Sequence, residues 1–141
     1  MADLQYPANA SLYYHNELAN VIGHADGYVR IEWNPVPIRS SSLRAVYEHV
    51  LGLLRSQGIS KILTDNQFMP PVPPSEQEWL IQNWAPRAVL EAGYRFCAII
   101  QAHDVLSQLA TQHMVQQLAC VPLTIRYFED SREAESWLLH S

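Results

Sequence analysis

Apolar and polar positions alternate early in the chain and then change period. "SLYYHN" and "ANVIGHA" read as short strands, and Asp26-Gly27 between the second of these and "YVRIEWN" is a two-residue hairpin signal. In "YVRIEWN" the apolar Val29, Ile31 and Trp33 alternate with polar residues, the period of a strand with one buried face. The N-terminal third is therefore expected to be antiparallel. Beyond "PVPI" the period lengthens: Leu43, Val46, Tyr47, Val50, Leu51 and Leu54 recur at three- and four-residue steps, which is a helix. The serines at 40 to 42 are expected to cap it, and Gly58 to stop it. "SKILTD" then reads as a buried strand ending at Asp65.

The next stretch, "NQFMPPVPP", is a loop with four prolines, followed by Ser75-Glu76-Gln77-Glu78 at the spacing of a capping box. In the helix expected from there, Leu80, Trp84 and Ala88 share a face, Pro86 threatens a kink or a break because it lacks an N–H, and Gly93 is the stop. "YRFCAIIQ" is a strand, Asp104 caps the helix "VLSQLATQHMVQQLA", "LTIRYF" is a strand, and Asp130 with Glu133 starts a helix carrying Ala134, Trp137 and Leu138. Strands and helices alternate to the end. That order predicts a single α/β domain over residues 1–141, with a mixed sheet. Its N-terminal hairpin is antiparallel, its C-terminal strands are parallel and joined by right-handed crossovers, and about four helices pack on it. No internal repeat or linker interrupts the pattern.

Composition narrows the function classes. A chain of 141 residues, 48% hydrophobic and 16% charged, can bury a core without disulfides or metals, and no apolar run approaches the roughly 20 residues that span a bilayer. "MADLQYPANA" lacks the basic and long apolar segments of a signal peptide, so a cytoplasmic location with reduced thiols is expected. Cys97 and Cys120 form no CxxC pair and read as small core residues. A net charge of -5 with nine Lys and Arg argues against nucleic-acid binding, which requires a basic patch.

Signatures of catalysis are missing from the sequence. The six histidines, at 15, 24, 49, 103, 113 and 140, have neither HxxxH nor HExxH spacing, and there is no GxGxxG, GxxxxGK[ST] or GxSxG segment. Glu76 and Glu78, two apart on a helix, point to different sides and do not make a carboxylate pair. The chain is read as a non-enzyme without metal or cofactor.

Strand "ISKILTDNQ", helix "SEQEWLIQNWAPRAVLEAG", strand "YRFCAII" and the ending "IRYFEDSREAESWLLH" resemble the SpoIIAA-like proteins, a largely bacterial family also labelled STAS/SEC14-domain proteins. The segments "EWLIQNWAPRA" and "YFEDSREAESWL" carry the resemblance most specifically, and it extends over nearly the whole chain. It implies a STAS-like α/β fold, usually without catalysis. Related anti-sigma factor antagonists place a phosphorylatable serine directly after the strand that ends in Asp. Here Ser75 stands ten residues past Asp65, beyond the prolines, and no Asp-Ser-Ser-Gly-like segment follows the strand. Ser75 is therefore read first as a helix cap and second as a regulatory phosphosite.

The candidate binding or regulatory residues are Asp65, Asn66, Gln67, Phe68, Met69, Ser75 and Trp79. Asp65 ends a parallel strand, where open α/β sheets bind ligands, although a carboxylate there also serves to hold loop amides. Asn66 and Gln67 offer amide contacts beside it. Phe68, Met69 and Val72 either present apolar surface on a proline-stiffened loop or close the core edge. Trp79, with Trp84, reads as core before ligand stack. The expected function is a regulatory or scaffold domain acting through protein contacts, self-association included. The alternative is a carrier of a small apolar molecule or lipid, which needs a cavity of about 300 Å³ or more.

Overall fold

The computed structural model describes residues 9–141; the segment "MADLQYPA", on which most of the signal-peptide reading falls, lies outside the described residues. Strands β1 (Ala10–His15), β2 (Ala19–His24) and β3 (Tyr28–Trp33) form an antiparallel meander, with a register shift in β1 between Leu12 and Tyr14. The β2–β3 turn carries Asp26-Gly27 but is one residue longer than the two-residue hairpin expected: His24 pairs with Tyr28, so the loop is Ala25, Asp26 and Gly27, in which Gly27 has φ 92°, a left-handed value that costs a glycine little, and its N–H donates to the His24 carbonyl at 3.0 Å. From β3 onward the strands are parallel. β4 (Lys61–Asp65), β5 (Phe96–Ile100) and β6 (Thr124–Phe128) add in chain order, giving one six-stranded mixed sheet with order β1-β2-β3-β4-β5-β6. The α/β class and the mixed sheet are as the alternating pattern predicts.

Four helical bodies pack on this sheet. α1 (Ser40–Gln57) joins β3 to β4. α2 (Pro74–Trp79), a π-helical turn (Leu80–Trp84) and α3 (Ala85–Ala92) run on as one body between β4 and β5; α4 (Val105–Gln117) joins β5 to β6, and α5 (Ser131–Leu139) follows β6. Period-2 geometry divides β3 between the two faces. Val29, Ile31 and Trp33 join a large core with Leu43, Val46, Val50, Leu80 and Trp84, so the three crossover bodies share that face. Tyr28, Leu63, Ala98 and Ile100 pack on the other face against Ala134 and Leu138 of α5. The mouth formed where β3, β4 and β5 end is thereby left to loops.

The helical backbone runs unbroken through Pro86. The turn ahead of it widens to π geometry, and the Ala85 N–H reaches back to the Leu80 carbonyl, so the chain arrives at a residue without an N–H already in a loosened register. Leu80, Trp84 and Ala88 are all buried, as their spacing predicts. Gly58 (φ 64°) and Gly93 (φ 70°) end α1 and α3 in the left-handed conformation.

The caps divide. Asp104 accepts from the Ser107 N–H at 2.9 Å and Asp130 from the Glu133 N–H at 2.9 Å, as expected. The serine caps are not formed. α1 begins at Ser40 itself with Arg39 in the cap position, and α2 begins at Pro74 behind Pro73, neither with a side-chain cap. Proline's fixed φ suits the first helical position and its missing N–H costs nothing there, so Pro74 takes the place Ser75 would need to vacate. The serines serve as donors to carboxylates instead: Ser40 and Ser75 to Glu76, Ser42 to Glu17.

Candidate functional site

The sheet mouth is a built surface, tied by backbone hydrogen bonds. The Asn66 N–H donates to the Ile100 carbonyl at 3.1 Å, His103 N–H to the Gln67 carbonyl at 3.0 Å, and Met69 N–H to the Asn66 carbonyl at 3.0 Å. The loops after β4 and β5 are therefore joined to each other by backbone hydrogen bonds. Prolines at 70, 71 and 73 restrict what remains of the loop, and Val72, 3% exposed, pins it from inside.

The predicted residues do not converge. Asp65 faces the α5 side, where its Oδ2 accepts from Arg30 Nη2 at 3.1 Å; its Oδ1 accepts from the Gln67 backbone N–H at 3.2 Å and from Gln67 Nε2 at 3.0 Å. Arg30 also bonds Glu32 through Nε at 3.0 Å and stands 3.9 Å from Glu135, so Asp65 and Gln67 belong to an ion-pair network that closes the end of the strand. Asn66 turns to the opposite side of the strand and is buried. Phe68 and Met69 part in the same way: Phe68 is 59% exposed, with its ring edge-on to His103 at 5.5 Å, whereas Met69 is 4% exposed. Met69 and Val72 close the core edge, and Phe68 is left as exposed apolar surface.

Ser75 and Trp79 lie elsewhere, on the α1 side of α2. Ser75 is exposed and its Oγ donates to Glu76 Oε2 at 3.3 Å. Trp79 is half-buried, with the Arg44 guanidinium over its ring at 5.0 Å and Tyr47 edge-on at 6.5 Å. The centre of that region is a residue the sequence reading left aside. The Glu76 side chain, 4% exposed, accepts from Arg44 Nε at 2.9 Å, Arg44 Nη2 at 3.3 Å and Ser40 Oγ at 2.9 Å, and the Arg44 bonds foremost hold its carboxyl below the usual range. It fastens α2 to α1.

An exposed apolar surface on α4 is also one the sequence reading passed over. On α4, Val105, Leu106 and Leu109 are 63%, 65% and 54% exposed, while Ser107 and Thr111 face the protein interior. A surface helix ordinarily does the reverse. Leu106 continues the surface of Phe68 across a groove that also takes in Pro35, Pro70, Pro71 and His103. A signal for it exists in the chain: between Asp104 and Arg126 there is no Asp, Glu, Lys or Arg.

Beneath α4, between it, the π turn and the sheet, lies an apolar hollow of about 90 Å³ whose walls include Leu80, Trp84, Ile99, Met114 and Val115. Cys97 lines it as well; burial pushes its thiol up to about 11, and burial likewise raises the phenols of Tyr47 and Tyr94 beside it. The hollow is uncharged at neutral pH. Cys120 departs from its expected place in the core: α4 ends at Gln117, and the turn to β6 carries this cysteine out to solvent. Among the described residues no group of three or more His, Cys, Asp or Glu stands close enough to hold a metal ion, and no helix is long and apolar enough to cross a membrane. No protein-family model, no curated protein and no solved structure matches the chain.

Proposed function

We propose that the chain is a non-catalytic STAS-like domain acting through protein contacts, as a regulatory or scaffold module. The observation that carries this reading is the apolar surface made by Phe68 with Val105, Leu106 and Leu109, each more than half exposed. Single exposed apolar residues are ordinary, but a group of them around a groove in which Asp104 is the one charged lining residue has the composition of an interface core. The prolines support the same reading, because a loop already held in one course loses little entropy on binding. Asp65 at the mouth and Glu76 between α1 and α2 are engaged by Arg30 and Arg44, and Asp104 caps α4, which suits structural roles better than proton transfer. The apolar hollow of about 90 Å³ falls well short of the roughly 300 Å³ that a lipid or drug-sized cargo requires, and the clefts that exceed that size, of about 330, 500 and 570 Å³, lie at the surface, so the contact reading is preferred to the carrier.

The test is a pair of substitutions on the outer side of α4, Leu106→Lys with Leu109→Lys. In sedimentation velocity and native mass spectrometry of protein from its own host, wild type is expected to appear with a stoichiometric protein partner or as a dimer. The double variant is expected to be monomeric with its melting temperature retained. A wild type that is monomeric and partner-free in both measurements, or a variant that keeps its partner, overturns the proposal.

A further inference from the structure

The two edges of the sheet differ in how they are closed. β1 carries a register shift between Leu12 and Tyr14, an irregularity that spoils an edge for further pairing. β6, at the other edge, keeps register with β5 from Thr124 to Phe128 and contains no proline. The Thr124 N–H donates to the Arg95 carbonyl at 2.8 Å, and the Phe128 carbonyl accepts from the Gln101 N–H at 3.0 Å, both toward the β5 side. Strand alternation therefore turns the N–H and C=O groups of Ile125 and Tyr127 outward, where no further strand pairs among the described residues.

Side chains give this open edge two different faces. Ile125 and Tyr127 pack against the large core, whereas Arg126 and Phe128 stand on the α5 side. The buried residues of α5 pack with Leu63 of β4 and with Ala98 and Ile100 of β5, and a surface cleft of about 570 Å³ remains beside β6. Trp137 and Phe128, with ring centroids 5.7 Å apart, give the cleft an apolar floor, and Arg126 and Arg132 border it. In a chain of net charge -5, most cations are engaged: Arg30, Arg39, Arg44, Arg55 and Arg87 are ion-paired, and Lys61 is held by the carbonyls of Leu138 and Ser141. Arg126 and Arg132 are exposed and make no ion pair among the described residues. Glu133 also lines the cleft, so two cations against one carboxylate leave it a net charge of +1. One arginine in mid-strand would serve as a guard against unwanted pairing; a second free arginine and an aromatic floor exceed what a guard requires. We propose that the β6 edge docks an extended segment of another protein, in which acidic and apolar residues alternate. The segment adds a strand by hydrogen bonds to Ile125 and Tyr127, sets its carboxylates against Arg126 and Arg132, and lays its apolar side chains on the opposite face. This edge shares no residue with the outer surface of α4, and either can fail without the other.

Three end-blocked peptides make a matched set of probes: one alternating valine with glutamate, one alternating valine with glutamine, and the glutamate peptide with its backbone nitrogens methylated so that they cannot donate. Titrations of the full chain at neutral pH and low salt are followed by the amide signals of Ile125 and Tyr127 and the indole signal of Trp137. The glutamate peptide is expected to give saturable shifts at all three, to bind more tightly than the glutamine peptide, and to lose that advantage in high salt. The methylated peptide is expected not to bind, because strand addition rests on main-chain hydrogen bonds. Arg126→Gln and Arg132→Gln are each expected to weaken the glutamate peptide about two- to fivefold, the factor of one exposed ion pair, and to leave the glutamine peptide unchanged. The peptide comparisons use the wild-type chain and decide even where a variant does not fold. Absence of saturable shifts, equal affinity for the glutamate and glutamine peptides, or undiminished binding of the methylated peptide overturns the proposal. So does an unchanged glutamate-peptide affinity in both folded arginine variants, and so do the same shifts produced by inorganic phosphate alone, which would make the cleft a site for small anions.

Discussion

Replacing Glu76 by Gln tests how the proline loop and α2 are held to the rest of the domain. The carboxylate is 4% exposed on its side chain and accepts four hydrogen bonds, two from Arg44, one from Ser40 and one from Ser75. Hydrogen bonds to a charged group contribute about 1.5–3 kcal/mol against about 0.5–1.5 for neutral ones. The partners are not sealed in, however: Ser40 and Ser75 are exposed and the Arg44 side chain is 44% exposed, so each can return to water. The loss should therefore fall below the roughly 3–5 kcal/mol of a fully buried broken pair. We expect about 1–2 kcal/mol for Glu76→Gln, which keeps the shape, and about 2–3 for Glu76→Ala.

The sign of the pH dependence is fixed by the direction in which Arg44, and then the serines, move the carboxyl: down from 4.5. The ionised form is favoured in the folded state, so the contribution is complete above the ordinary glutamate value and disappears as pH falls through the lower folded value. Urea denaturation of wild type and Glu76→Gln at neutral pH and at several acidic values should show a stability gap that closes on acidification. At a slope of about 1–3 kcal/mol per molar urea the neutral gap shifts the midpoint by about 0.3–2 M. A neutral-pH difference under about 0.3 kcal/mol, well below the estimate from these hydrogen bonds, would sink the argument, and so would a gap of constant size down the pH series.

Phe68→Ser should change stability by less than about 0.5 kcal/mol and Met69→Ser by about 2–5, the contrast of adjacent exposed and buried side chains; equal costs in urea would contradict their placement. Asp104→Ala should cost about 0.5–2 kcal/mol by removing a formed cap, while Ser75→Ala should cost less than about 0.5, because no cap is lost; thermal melts of the pair separate them. Of the two thiols, Cys120 should react with an aromatic disulfide reagent in the native protein and Cys97 only in denaturant, since burial both covers Cys97 and raises its thiol to about 11; two fast equivalents in the native state would refute this. Chelator treatment should leave the melting temperature unchanged, and a clear drop would reveal a metal site.

Local signals in the chain were enough for the elements and much of their order. The Asp26-Gly27 turn, the glycines at 58 and 93, the caps at Asp104 and Asp130 and the change from period 2 to period 3.6 each act within a few residues, where backbone sterics and nearby hydrogen bonds decide the outcome. Competition between local signals was less legible. Ser75 has good capping spacing, but Pro74 starts the helix one residue earlier, and the hydroxyl goes to Glu76. Only the packed structure decided the rest. Adjacent residues of one loop, Phe68 and Met69, end on opposite sides of a surface because the loop is pinned by Asn66 and by the β5 loop through His103, contacts between segments far apart in the chain. Glu76 meets Arg44 across 32 positions, and α4 leaves its leucines outside and a hollow within because of how it sits on β5 and β6. Burial is a property of which surfaces meet, and no short stretch of sequence contains both sides of that contact.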